Sequence, residues 1–204
     1  MSVVVLISGR GSNLQALLEA GVPVSAVISN RADAKGLQIA AARGAATQVL
    51  EHRGFATREA FDDALAAKID EFTPRLVALA GFMRLLTPAF TQRFAGRIMN
   101  IHPSLLPAFQ GLDTHARALA AGVKLHGCTV HFVTPELDSG PIVIQAAVAV
   151  RAGDTADALA SRVLRQEHVI YPRAVRWFLE GRLVIEGSAV RVKGNDAQLI
   201  FAAD

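Results

Sequence analysis

The stretch VVVLISGRGSNL, residues 3–14, joins an uninterrupted apolar run to a turn that contains glycine and serine. Val3–Ile7 has no polar side chain, and this pattern predicts a β-strand covered on both faces. A helix is predicted at 13–20, so the turn leads directly from a buried strand into a helix. Such a strand–turn–helix unit is typical of an α/β protein with a parallel sheet.

The alternation of strand and helix continues along the chain. Further strands are predicted at 24–28, 47–50, 76–80, 97–101, 129–133 and 142–150, and helices at 34–43, 57–72 and 112–121. Asp154 is positioned to cap a long final helix that ends near Gly181, and a hairpin over Leu183–Val192 is expected to close the chain. We therefore expect one α/β domain over residues 1–204, with a mainly parallel twisted sheet, helices on both faces and a short C-terminal β-hairpin.

Composition argues against several classes of protein. The chain has 204 residues, of which 51% are hydrophobic and 19% charged, a balance unlike that of disordered chains. The net charge of +3 is small and the basic residues are scattered, so no nucleic-acid partner is expected. No apolar run reaches the roughly 20 residues of a membrane span, and residues 1–13 lack the features of a secretory signal. The only cysteine, Cys128, is interpreted as inert packing in a reducing, cytoplasmic compartment.

The first turn is a candidate phosphate site. Gly9 and Gly11 let the backbone turn tightly, and the N–H groups at the start of the next helix, with Ser12 and Asn13, suit a phosphate. The dinucleotide fingerprint is incomplete, because Leu14 stands where it requires a third glycine and no acidic residue follows the second strand. A single phosphate and a plain strand-to-helix turn therefore remain the two interpretations.

A second group of polar residues lies at the end of the strand predicted at 97–101. Residues i and i+2 of a strand face the same side, so Asn100 and His102 project together and offer an amide and a titratable imidazole for an oxyanion. Asp138, in a turn rich in glycine and proline, is the best candidate for a carboxylate that orients and charges His102. A structural role for the histidine remains the alternative.

The other histidines carry weaker signals. His52 lies in a polar loop, His126 and His131 are expected to cap or line strands, His115 could line a cleft, and His168 fits either the core or a site. No HExxH pattern suggests a catalytic zinc, and the GxSxG nucleophile elbow is absent from the sequence. We therefore expect chemistry without a metal and without a serine nucleophile.

Five motifs follow one another along the chain: VLISGRGSNL at 5–14, LAGFMRLL at 79–86, NIHPSLLP at 100–107, HFVTPELDSGP at 131–141 and QEHVIYP at 166–172. In this order and spacing the sequence resembles the phosphoribosylglycinamide formyltransferases, folate-dependent enzymes of purine synthesis. The resemblance runs from the first strand to about Gly181. It implies a Rossmann-like formyltransferase fold, with residues 1–100 as the nucleotide- and phosphate-binding half and residues 101–204 as the folate-binding and catalytic half.

The resemblance also implies the reaction and its residues. The formyl group of 10-formyltetrahydrofolate, a co-substrate, passes to the amine of glycinamide ribonucleotide, and no metal takes part. The implied catalytic residues are Asn100, His102 and Asp138. The residues implied to bind the nucleotide are Gly11, Ser12, Asn13 and Arg58 at the phosphate and Leu164, Arg165, Gln166 and Glu167 at the ribose and glycinamide. Those implied to bind the folate are Met83, Arg84, Leu85, Leu86, Asn100, Thr134, Pro135, Glu136, Leu137 and Asp138.

The remaining expectations concern partners, departures and rival functions. The partners are these two small molecules, with neither nucleic acid nor membrane, and the protein is expected to be a monomer or homodimer.

Ala108 and Asp113 depart from the family, since many relatives have a basic residue at the first position and some have histidine at the second. The nearest rival is a formyltetrahydrofolate deformylase, a hydrolase whose similar residues activate water. A methionyl-tRNA formyltransferase and a non-catalytic nucleotide-binding module are further alternatives.

Overall fold

A computed structural model describes residues 2–202 and has the alternating strands and helices that the sequence predicts. The chain divides into two units between Asn100 and Ile101. The strands are mostly parallel and are accompanied by helices, so the predicted α/β fold is confirmed.

The first unit is a parallel sheet. Its elements are β1 (Val3–Ile7), α1 (Ser12–Glu19), β2 (Val24–Ser29), α2 (Lys35–Ala42), β3 (Ala46–Val49), α3 (Arg58–Asp70), β4 (Leu76–Leu79), α4 (Pro88–Arg93) and β5 (Ile98–His102), the last of which crosses the unit boundary. The strand order is β3-β2-β1-β4-β5. β1 pairs with β2 and β4, and all five of its side chains are buried. Because the strands are parallel, the turns that follow β1, β2 and β4 lie at one edge of the sheet.

The second unit combines antiparallel and parallel pairs. Its elements are α5 (Thr114–Ala120), β6 (Leu125–Phe132), β7 (Ile142–Ala149), α6 (Ala156–Leu179), β8 (Leu183–Glu186), β9 (Ala189–Val192) and β10 (Leu199–Phe201). β6 and β7 are antiparallel, β8 and β9 form the predicted hairpin, and β9 and β10 are parallel to β7. α6 packs against β6 and β7. Among the described residues, no helix combines the length and apolar character that crossing a membrane requires.

Among the short elements that the sequence analysis missed are α4 and β10. α4 begins at Pro88, after Thr87, whose hydroxyl accepts the Phe90 N–H at 3.3 Å. β10 follows the hairpin that was expected to close the chain, and it pairs with residues 145–147 of β7. Both elements are shorter than the windows in which hydrophobic periodicity can be recognised.

Three of the predicted boundaries that differ from the structure have an identifiable physical reason. α5 begins at Thr114 instead of residue 112, because Asp113 has a φ of 56° and cannot continue a right-handed helix. β6 begins at residue 125 instead of 129, because residues 125–128 also pair with β7. The N-cap of α6 is Thr155 and not Asp154. The Asp154 carboxylate instead accepts two hydrogen bonds from the Arg162 guanidinium, each at 2.8 Å, and these lower the pKa of Asp154 to about 2.

Candidate active site

The turn after β1 requires glycine. Gly11 immediately precedes α1 and has a φ of 78°, in the left-handed region that side chains disfavour. A Cβ atom on Gly11 would lie 2.5 Å from the Cα of Gly36, closer than nonbonded atoms approach. No side chain at position 11 caps the helix, so the N–H groups of its first turn, with Ser12 and Asn13, form the kind of surface that binds phosphate.

Gly36 packs against the turn after β1, and the sequence analysis missed its role there. It lies in the first turn of α2, and its N–H donates to the carbonyl oxygen of Gly9 at 3.1 Å. A Cβ atom on Gly36 would lie 2.6 Å from Cδ1 of Ile7 and 3.1 Å from Cα of Gly11. The available signal was a glycine inside a predicted helix, where it costs about 1 kcal/mol relative to alanine and therefore indicates a packing requirement.

Ser8 connects the ends of three strands in the first unit. Its hydroxyl donates to Oδ1 of Asn30 at 2.6 Å and accepts the N–H of Met83 at 2.8 Å. Its own N–H donates to the carbonyl oxygen of Gly81 at 3.1 Å. The turn after β1 and the segment 83–86 are therefore held by one buried side chain.

The segment 83–86 presents apolar side chains to solvent. Met83 is 70% exposed and Leu85 is 54% exposed, whereas Arg84 and Leu86 are half-buried. Exposed apolar side chains next to one another mark a surface suited to a flat, largely apolar ligand.

Helix α3 holds the backbone around this segment. The buried Asp62 carboxylate accepts the N–H of Thr87 at 2.6 Å, and the Arg84 guanidinium lies over the Phe61 ring, 5.4 Å from its centroid. Arg58, a predicted phosphate ligand, is exposed at the first position of the same helix. Contacts between segments so distant in sequence leave no pattern in the sequence itself.

His102, the last residue of β5, faces two oxygen atoms. Its Nε2 lies 3.1 Å from the carbonyl oxygen of Phe109, and its Nδ1 lies 3.4 Å from Oδ2 of Asp138. The His102 side chain is 7% exposed and that of Asp138 is 9% exposed. An imidazolium, which has a proton on each nitrogen, matches both oxygens, whereas a neutral ring matches only one. Asn100 precedes His102 by two residues on the same strand.

Asp138 is held in an uncommon conformation. Its φ is 49°, and its Oδ2 accepts the N–H of Gly111 at 2.9 Å. Two residues further on, a Cβ atom on Gly140 would lie 1.8 Å from the carbonyl oxygen of Phe132, so this position admits only glycine. The turn between β6 and β7 therefore directs the Asp138 carboxylate towards His102, as the sequence analysis expected.

His131 contacts the other side of the same carboxylate. Its Nε2 lies 3.8 Å from Oδ1 of Asp138, its Nδ1 lies 2.9 Å from the carbonyl oxygen of Phe132, and the side chain is 2% exposed. Burial lowers the pKa of His131, although the Phe132 carbonyl and Asp138 oppose this effect. Sequence analysis assigned His131 to a strand without recognising it as a neighbour of Asp138.

His115 and His126 form a neutral pair in the same unit. Nδ1 of His115 lies 3.2 Å from Nε2 of His126, so one ring donates and the other accepts. Burial and then the neighbouring His115 lower the pKa of His126 to about 4, and burial also lowers the pKa of His115. The Phe109 ring meets His126 edge to face, with 5.8 Å between centroids.

The loop between β5 and α5 contains both departures from the family pattern. Ala108 is exposed, and its carbonyl oxygen accepts the Ser104 hydroxyl at 2.6 Å. Asp113 is exposed immediately before α5, and the hydroxyl of the next residue, Thr114, donates to the carbonyl oxygen of Pro103 at 2.7 Å. The Ser104 and Thr114 hydrogen bonds hold the backbone beside both positions.

The predicted nucleotide residues of α6 face different environments. Leu164 and Gln166 are half-buried, Arg165 is exposed, and Glu167 is 8% exposed on the apolar face of the helix. Burial, and next the charge of Glu167, raise the pKa of the Cys128 thiol. A buried carboxylate is uncommon on an apolar helix face, which makes Glu167 the candidate for a functional role among these four.

The other predicted folate residues lie in the turn between β6 and β7. Pro135, Glu136 and Leu137 are exposed, and the half-buried Thr134 donates its hydroxyl to the Glu136 carbonyl oxygen at 3.3 Å.

Within residues 2–202, no three His, Cys, Asp or Glu side chains are arranged to hold a metal ion.

The sequence is similar to known proteins over nearly its whole length. Residues 1–175 match the family described as formyl transferase. The phosphoribosylglycinamide formyltransferase of Escherichia coli strain K12 is 51% identical over 201 residues, which cover 96% of this chain and 95% of that protein. The crystal structure of glycinamide ribonucleotide transformylase 1 from Symbiobacterium toebii is 51% identical with a TM-score of 0.91, over 94% of this chain and 93% of that one. The crystal structure of phosphoribosylglycinamide formyltransferase from Anaplasma phagocytophilum is 43% identical with a TM-score of 0.94, over 100% and 99% of the two chains.

Acid should destabilise the folded protein through His126. The unfolded chain takes up a proton near the ordinary imidazole pKa of 6.5, whereas the folded protein takes it up only near 4. The free energy of unfolding should therefore fall as the pH falls between these values, and it should fall less steeply in His126→Gln. Urea denaturation across this range measures both slopes, and equal slopes would contradict the assigned pKa.

Proposed function

Because this chain belongs to the phosphoribosylglycinamide formyltransferases, one-carbon transferases of purine biosynthesis within the formyl transferase family, we propose that it moves the formyl group of 10-formyltetrahydrofolate to the amine of 5-phosphoribosylglycinamide. The observation that carries this proposal is the buried pair of His102 and Asp138, with 3.4 Å between Nδ1 and Oδ2. Asn100 on the same strand completes the set of polar side chains. We propose these three residues as the catalytic residues.

The amine of the nucleotide attacks the formyl carbon directly, without a covalent enzyme intermediate. Negative charge then develops on the formyl oxygen, and the His102 imidazolium and the Asn100 amide stabilise it. Removing one such donor from an enzyme typically costs about 3–4 kcal/mol of transition-state stabilisation. Both donors lie on a β-strand, so their positions are set before the substrates bind.

The Asp138 carboxylate faces Nδ1 of His102 and aligns its ring. The shorter contact, 3.1 Å from Nε2 to the Phe109 carbonyl oxygen, fixes the ring, while the longer contact to Asp138 leaves Nδ1 as the nitrogen whose N–H turns from Asp138 to the formyl oxygen. The carboxylate assists transfer of a proton, through water, from the attacking amine to the departing folate nitrogen. Proton transfer of this kind contributes about 10²–10⁴-fold to rates.

Both halves of the chain contribute residues that we propose to bind substrates. Residues 1–100 hold the nucleotide phosphate at Gly11, Ser12 and Asn13, with Arg58 contributing positive charge. Residues 101–204 supply the catalytic pair, the turn at 134–138 for the folate, and 164–167 for the ribose and glycinamide. We propose the segment 83–86 and Asn100, in the first half, as further folate-binding residues.

The proposed setting follows from the same family. The protein works in the cytoplasm as a monomer or homodimer, uses the formyl folate as a co-substrate without a metal, and has neither nucleic acid nor membrane as a partner. Holding the amine beside the formyl carbon supplies much of the rate enhancement.

Loss of 10-formyltetrahydrofolate, followed with and without 5-phosphoribosylglycinamide, tests the proposed reaction. We expect the formyl folate to be consumed only when the nucleotide is present, with one formylated product formed for each folate released. Consumption without the nucleotide would instead identify a deformylase, and no consumption in either mixture would indicate a non-catalytic binding module.

His102→Ala and Asp138→Asn should each lower kcat by at least about a hundredfold, because each removes a group that acts in the transition state. The KM values should change much less. Asp63→Asn, at an exposed position of α3, is the matched control for loss of a carboxylate and should behave as the unaltered protein. A kcat equal to that of the unaltered protein in His102→Ala or in Asp138→Asn would remove the substituted residue from the mechanism.

Gly36→Ala should raise the KM for the nucleotide by about tenfold, because the added methyl group displaces Ile7 or the turn at Gly11. The KM for the folate should be unaffected. Gly54→Ala is the control, since a Cβ atom there meets nothing within 4 Å. An unchanged nucleotide KM in Gly36→Ala would disprove the assignment of this turn to the phosphate.

A further inference from the structure

We propose that Gln110 is a positioning residue that sets the Asp138 carboxylate against His102, an inference that rests on the proposed function for its catalytic consequence. The Gln110 side chain reaches the turn that contains Asp138, although 28 residues separate the two in sequence. No motif of the sequence analysis included Gln110.

The Gln110 amide donates into the Asp138 turn at three points. Its Nε2 lies 3.3 Å from the carbonyl oxygen of Leu137, 3.2 Å from that of Asp138 and 3.0 Å from the Ser139 hydroxyl. The Ser139 hydroxyl in turn donates to the Leu137 carbonyl oxygen at 3.0 Å. The two N–H groups of this amide are therefore shared among acceptors on three consecutive residues, with Asp138 in the middle.

The turn needs such contacts because its central residue has an unfavourable backbone conformation. The φ of Asp138 is 49°, in a region that an aspartate tolerates without preferring it. Contacts outside the turn must select that conformation. The Gln110 amide donates to the carbonyl oxygens of Leu137 and Asp138, which lie on either side of the Asp138 N–Cα bond that defines this φ. Loss of the amide should therefore allow the turn to relax.

The main chain beside Gln110 contacts the catalytic pair itself. The Gly111 N–H donates to Oδ2 of Asp138 at 2.9 Å, and the Phe109 carbonyl oxygen lies 3.1 Å from Nε2 of His102. Residues 109–111 thus touch the carboxylate, the imidazole and the turn. A shift of this segment would change the relative position of the two reacting groups.

Arg117 holds this segment from the other side. Its Nη1 donates to the carbonyl oxygens of Gln110 at 2.6 Å and of Leu112 at 3.2 Å, and its guanidinium lies 5.8 Å from the centroid of the Phe109 ring. Arg117 is exposed on α5, so its side chain can be replaced without disturbing buried packing. It provides a second, independent way to loosen the same segment.

Gln110→Met keeps the length of the side chain and removes the donor. We expect kcat to fall about tenfold to a hundredfold with less than about a threefold change in the KM for the nucleotide, because the nucleotide contacts remain while the catalytic pair is misaligned. The KM for the folate should rise as well, because the turn at 134–138 is also the proposed folate site. The ¹⁵N chemical shift of His102 Nδ1, measured in the unliganded protein, should also move. Arg117→Met should shift kcat and this resonance in the same direction, and the double variant should lose less than the product of the two single effects.

Gln198→Met is the matched control. Its Nε2 also donates to two backbone carbonyl oxygens, at 2.8 Å on Val143 and 2.9 Å on Val190, without a contact to the 137–139 turn among the described residues. It should change stability as much as Gln110→Met does and leave kcat and the His102 resonance unchanged. If Gln110→Met leaves kcat and the His102 resonance at control values, or raises KM alone, the proposal is wrong. Because the resonance is read without substrate, it tests the positioning of His102 even if the protein proves not to transfer formyl groups.

Discussion

A carboxylate and an imidazole that meet away from water constrain much of the second unit. The side chains of His102 and Asp138 are less than one-tenth exposed, so each would be unfavourable there without the other. Their approach requires a turn whose central residue has positive φ, a glycine at position 140 with no room for a methyl group, and a loop that bonds to both partners. These requirements explain why so many unusual backbone features fall within residues 109–140.

In the first unit, close approach of backbone segments fixes the candidate site. The turn after β1, where we propose that the phosphate binds, has glycines at the points where chain segments touch. Gly11 and Gly36 approach each other too closely for any side chain, and Ser8 bonds both to the end of β2 and to the segment after β4. Backbone proximity here, and side-chain pairing in the second unit, are two ways of fixing a site before the ligand arrives.

The sequence was most informative where chemistry depends on local spacing. The apolar run at 3–7 predicted a buried strand, and the two-residue spacing of Asn100 and His102 predicted a shared face. Asp138 was identified because it lies in a turn that follows a strand. Gly36, Gln110 and Asp62 act on segments far away in sequence, and hydrogen bonds of this kind leave no periodic signal. Asp154 was misassigned for a related reason, since its partner Arg162 competes with the helix N-terminus for the carboxylate.

In the segment 83–86, the contacts that hold the main chain involve other residues than the side chains that face solvent. The main chain is held by hydrogen bonds to Ser8 and Asp62 and by the contact between Arg84 and Phe61. The exposed side chains of Met83 and Leu85 take no part in these contacts. Natural variation can therefore alter these two side chains without a penalty in folding. An inhibitor that hydrogen-bonds to the backbone of this segment would meet a shape fixed by buried contacts, whereas one that packs on Met83 and Leu85 would meet side chains that folding does not constrain.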